Sequence, residues 1–198
     1  METYSTTDII KTLEEKNISL FTLADFGRLF GLDNRQTLYK KIQRLGKTGI
    51  IQKLIKGKYY YQFKPALSFR IANFLYQPSY ISLESALSFY GIITGFPYET
   101  TSITTQKSKL ITADNREFQY SQIADKLFWG YEVKDGFLIA EKEKALLDYI
   151  YFGLKGLRNR EFEEMDFSQI DKRKLYLYAK RMGIKSCHAE LVSASPNL

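Results

Sequence analysis

Gln36, Lys40, Gln43 and Lys47 recur at i, i+4, i+7 and i+11, so a helix would set all four on one face. Arg35, Tyr39 and Arg44 flank that face, and Lys53, Lys56 and Lys58 follow it along the chain. Glutamine and arginine can make bidentate hydrogen bonds to base edges, while lysine mainly neutralises phosphate. A solvated surface helix mixes in Glu or Asp for ion pairing; this one has neither. The deficit runs further, because residues 34–82 carry ten basic side chains and no acid, in a chain whose net charge is +7. Residues 1–33 are net acidic and residues 84–198 are balanced. Positive charge concentrated in this way is the footprint of a polyanion-binding surface.

Other reactive groupings are sparse. A metal-dependent nuclease of the restriction type needs an acid and then Glu-x-Lys on a neighbouring strand. Asp135 with Glu141-Lys142-Glu143-Lys144 gives Glu-x-Glu and Lys-x-Lys instead, which suits paired charges opening a helix. Asp148 lies in an apolar helical pattern, where a structural ion pair or hydrogen bond accounts for it better than catalysis. The glycines form no phosphate loop. Cys187 and His188 are the only cysteine and histidine, so they exclude an internal disulfide and leave His-based catalysis and metal binding to one residue. No catalytic residue, metal ligand or cofactor is assigned, and the expectation is a non-enzyme. The lone cysteine, the lack of a signal-like N-terminus and the absence of any span of roughly 20 apolar residues predict a cytoplasmic protein without membrane contact.

The elements that must position the basic face follow from periodicity. The pattern predicts a helix over 8–16, capped by Thr6 or Thr7, with Ile9, Ile10 and Leu13 inward. A second helix spans about Thr22 to Phe30, with Thr22 as cap, Asp25 in its first turn and Gly31 as its stop. Asn34 caps a third helix reaching Thr48, whose buried stripe is Leu38, Ile42 and Leu45. The short gap between the second and third helices has helix-turn-helix length. Strand-like alternation then gives a hairpin, 50–55 and 58–63, around Lys56-Gly57. Tyr59, Tyr61 and Phe63 share one face of it; strand propensity and core packing explain them more simply than stacking on bases. Helix, helix, basic helix and basic hairpin in that order predict a winged helix-turn-helix over 1–65.

Residues 66–185 predict a separate α+β domain. A helix over 67–76 leads into it, and Ser82 caps another that Gly91 ends. Strands are expected at 100–105, 110–112, 117–120, 127–133 and 137–139. A strong helix covers 141–152, with Lys144 and Asp148 as an i, i+4 pair, and a last helix runs from Asp171 to Met182. Residues 186–198 form an irregular tail.

The run Pro78-Ser79-Tyr80-Ile81-Ser82-Leu83-Glu84-Ser85-Ala86-Leu87-Ser88-Phe89-Tyr90-Gly91-Ile92-Ile93 resembles the signature of the AbiEi antitoxin family of abortive-infection transcriptional regulators. Ile139-Ala140, followed by Glu143-Lys144-Ala145-Leu146-Leu147-Asp148, is similar to a second family segment, with Lys142 standing where members usually have proline. The resemblance covers roughly residues 3–185. Family members usually continue as helix past Ile184, whereas here the chain turns to small and polar residues. What the resemblance implies is a type IV toxin–antitoxin module of phage defence. Its antitoxin has an N-terminal winged domain that binds double-stranded DNA at its own promoter and a C-terminal domain that neutralises a nucleotidyltransferase-like toxin without a stable complex. A stand-alone winged-helix transcription factor with a ligand- or protein-binding C-terminal domain is the alternative.

Overall fold

The computed structural model of the chain describes residues 4–95, 97–157 and 165–184. They form a mixed α+β structure that divides into two compact units. The first runs to Leu75 and takes in Ala113–Asn115; the second holds the rest.

In the first unit, helix α1 (Thr6–Glu15) is followed by strand β1 (Leu20–Thr22), helix α2 (Leu23–Leu29) and helix α3 (Arg35–Lys47). The cap of α1 is Ser5, not Thr6 or Thr7. Asp8 sits at the position from which its carboxylate returns a bond to the Ser5 backbone, completing a reciprocal capping box. Thr22 and Asp25 make the same box at α2, and Gly31, at φ 59°, takes up the left-handed turn after it. Strands β2 (Ile51–Ile55) and β3 (Lys58–Tyr61) form the expected hairpin. The sheet order is β1-β3-β2, with Leu20 opposite Tyr60 and Ile51 opposite Tyr61. Three-residue β1 is too short to show a periodicity of its own, and it exists because β3 offers it an edge.

The core of this unit joins Ile9 and Leu13 of α1, Phe26 of α2, the Leu38, Ile42 and Leu45 stripe of α3, and Tyr59 and Tyr61 of β3. Phe63 does not enter the core with Tyr59 and Tyr61: β3 stops at Tyr61, and Phe63 meets the Tyr61 ring edge to face at 5.6 Å while staying 64% exposed. Helix α4 (Ser68–Leu75) is the last element of this compact unit, which runs to Leu75. Lys58 ties α4 to the hairpin, since its ammonium binds the last carbonyls of that helix.

The second unit opens with strand β4 (Ser79–Ile81) and helix α5 (Leu83–Phe89). Strands β5 (Thr100–Thr104), β6 (Lys109–Ala113), β7 (Arg116–Gln122), β8 (Tyr131–Lys134) and β9 (Phe137–Ala140) follow, then helices α6 (Lys142–Leu154) and α7 (Lys172–Met182). The sheet order is β6-β7-β5-β4-β9-β8. It is mixed: β4 pairs antiparallel with β5 and parallel with β9, β5 pairs parallel with β7, and β8 pairs antiparallel with β9. Sequence periodicity overlooks β4, a fully buried three-residue strand with no alternation to display. The strand expected at 127–133 is in fact a 3-10 turn over Asp125–Leu127 and then β8, because Gly130, at φ 74°, breaks the run. Helix α5 packs on β5, α6 packs on β9 and α5, and α7 packs on α6.

Candidate nucleic-acid interface

Helix α3 is held at its start by Asn34, whose Oδ1 accepts from the backbone of Gln36 at 2.9 Å and Thr37 at 3.1 Å. Burial of Leu38, Ile42 and Leu45 fixes its rotation. The opposite side therefore faces solvent, and Gln36, Lys40, Gln43 and Lys47 are all exposed there, with Arg35, Tyr39 and Arg44 exposed beside them. Among the described residues, no carboxylate forms an ion pair with any of these side chains. The guanidinium carbon of Arg35 lies 5.8 Å from the centre of the Tyr39 ring. Lys41 turns the other way and donates to the Tyr4 carbonyl at 2.6 Å.

Lys53 and Lys56 stand exposed on the hairpin, on β2 and in the turn after it. Lys58 does not join them. Its Nζ donates to the carbonyls of Phe74 at 2.5 Å and Leu75 at 3.0 Å, and lies 5.0 Å from the Phe74 ring centre. A cation belongs at those carbonyls, which carry the negative end of the α4 dipole. Burial there lowers its pKa. Of the ten side chains expected at the interface, nine are presented to solvent and Lys58 is committed within its own unit. The sequence gives no sign of this, because the partners are main-chain atoms of a helix that begins ten residues later.

A second grouping lies in the interior of the other unit. The Lys144 ammonium is bonded to the Asp148 carboxylate one turn along α6, and both side chains are 0% exposed. Lys144 also donates to Tyr80 Oη at 2.9 Å. Asp148 Oδ2 accepts from Tyr80 Oη at 3.0 Å and from Ser82 Oγ at 2.8 Å. Desolvation raises the pKa of Asp148 and lowers that of Lys144, against the attraction between them; burial and the nearby Asp148 push Tyr80 up. Gly130 belongs to this arrangement as well, since a Cβ there would meet Lys144 Cγ at 3.0 Å. With every polar member enclosed, the network can lock β4, α5 and α6 together but offers a substrate no way in. The i, i+4 spacing of Lys144 and Asp148 within an apolar run signalled the pair. Nothing marked Tyr80 and Ser82 as its partners.

Among the described residues, no three His, Cys, Asp or Glu side chains gather in a way that could hold a metal ion, and no helix is long and apolar enough to cross a membrane. Cys187, His188 and the tail lie outside the described residues. No protein-family model matches the chain, and no curated protein matches it.

Proposed function

We propose that residues up to Leu75 are a winged helix-turn-helix that binds duplex DNA. In this reading α2 and α3 are the helix-turn-helix, the β2–β3 hairpin is the wing, and α3 enters the major groove. The observation that carries it is the outer face of α3: glutamines and arginines suited to base edges, lysines suited to phosphate, all exposed and without carboxylate partners among the described residues. Lys53 and Lys56 extend the positive surface to the wing, where phosphates pass.

The chain as a whole then acts as a DNA-binding antitoxin that represses its own promoter in a type IV toxin–antitoxin operon of phage defence. Support for that half comes from the resemblance to the AbiEi family and from how the two resembling segments meet. Ile81 of the first is in register with Ile139 of the second, and Tyr80 and Ser82 of the first bind Asp148 of the second. The segments thus form one core, as parts of a single domain signature should. The functional partner is a nucleotidyltransferase-like toxin, opposed without catalysis and without a stable complex.

A paired assay tests both halves: a reporter driven by the gene's own promoter, and growth during expression of a nucleotidyltransferase-like toxin, sought in the reading frame immediately downstream. The protein is supplied from an unrelated promoter, as wild type and as Lys40→Gln/Lys47→Gln. The expected outcome is repression and rescue by the wild type, and rescue without repression by the variant. Undiminished repression by the variant would remove α3 as the DNA-binding element. Repression without rescue by the wild type would leave a stand-alone regulator.

A further inference from the structure

Arg35 differs from the other cations of α3 in what it touches. It is the first residue of the helix, directly after the Asn34 cap, at the end of a recognition helix that contacts base edges. Its guanidinium lies over the ring of Tyr39, one turn on, at 5.8 Å, within the roughly 6 Å reach of a cation–π contact. No such ring contact holds Lys40, Arg44 or Lys47 among the described residues. Tyr39 is 40% exposed, so the pair sits at the surface rather than in the core. Although Asp33 is two residues away, it forms no ion pair with Arg35. A guanidinium resting on an aromatic face keeps its in-plane N–H donors free for a planar acceptor pair. Restricting it before binding also reduces the ordering cost of complex formation.

We infer that Arg35, held by Tyr39, reads a guanine through its O6 and N7 in the major groove of the bound duplex. This rests on the duplex-binding reading of α3. Tyr39 is a positioning residue, acting on the base only through Arg35. The unheld lysines Lys40 and Lys47 contact phosphate and contribute no base preference.

Full-length protein selected against a randomised duplex library should enrich an invariant G·C pair. In synthetic duplexes, changing that pair should weaken wild-type binding roughly 5- to 150-fold. Arg35→Ala should bind the original and changed duplexes alike, and reselection with it should lose that guanine; Arg35→Lys, which keeps a donor but loses the planar fork and its hold on Tyr39, should show a weakened preference. Tyr39→Phe should retain the preference. Tyr39→Leu should reduce it several-fold, and adding Arg35→Ala to it should produce the same indifference as Arg35→Ala alone. Circular dichroism separates these effects from loss of fold. If Arg35→Ala still selects the same guanine while binding remains salt-dependent, or if no G·C pair is enriched, this inference fails and duplex binding stands. If no duplex binds the wild type, the reading beneath it fails too.

Discussion

Helices α3 and α6 are both thirteen residues long and both carry lysine, yet they treat positive charge in opposite ways. α3 turns Arg35, Lys40, Arg44 and Lys47 to solvent, and among the described residues none of them meets a carboxylate. Lys144 of α6 is completely enclosed and bonded to Asp148 one turn along and to Tyr80 of β4. At the start of α6, Glu141 and Glu143 each lie 3.3 Å from the partly exposed Lys174 of α7, again a lysine met by acids of its own protein. Burying an ammonium costs several kcal/mol unless a partner is close, so the partner of a buried lysine must lie inside the same protein. Unpaired surface cations cost little in water, but several together repel one another, and a polyanion relieves that repulsion. The distribution of acids, more than the number of lysines, separates the two roles.

The largest test of this contrast is to remove one charge from each helix. Lys144→Met strands the Asp148 carboxylate in the interior and should destabilise the protein by about 3–5 kcal/mol in chemical denaturation. Lys144→Met combined with Asp148→Leu should recover only part of that loss, because it removes the buried charge but leaves the Tyr80 and Ser82 hydroxyls without their acceptor. Lys40→Met, on the exposed face of α3, should change stability by less than about 0.5 kcal/mol. Comparable losses from the two single substitutions would break the contrast.

Legibility in the sequence followed the same division. α3 was readable in its cap, buried stripe and outer face, because Asn34, Leu38, Ile42 and Leu45 specify all three locally. The N-cap of α2 and the hairpin turn were equally local. What escaped was non-local. β1 exists only against β3, β4 is buried on both faces, and Lys58 is claimed by carbonyls of α4. Tyr80 and Ser82 reach Asp148 across more than sixty residues of chain. Local periodicity carries no information about such partners.

A third kind of charge, on the surface yet satisfied within its own turn, gives a smaller test. The Asp25 carboxylate accepts from the Thr22 hydroxyl and backbone N–H, and these bonds, with Arg28 adding to them, hold its pKa below the ordinary value. A depressed folded-state pKa adds stability that is fully present above the unfolded value of about 3.9 and is lost as pH falls through the folded value. Thr22→Ala should cost about 1 kcal/mol near neutral pH and flatten the acid limb of the stability curve contributed by Asp25. An unchanged acid limb in denaturation measured from pH 6 to pH 2 would show that the capping box does not hold this charge.

The salt dependence of DNA binding tests the central claim most directly. Phosphate contacts release counterions, with a slope of about −0.9 per contact in log K against log salt. Lys40, Lys47, Lys53, Lys56 and Arg44 remain available once Lys58 is committed to α4. Titration of the purified full-length protein on its own promoter across a range of salt concentrations should therefore give a slope of roughly −4 to −5. A slope near zero, or no binding at low salt, would contradict the assignment of α3 and its hairpin to duplex DNA.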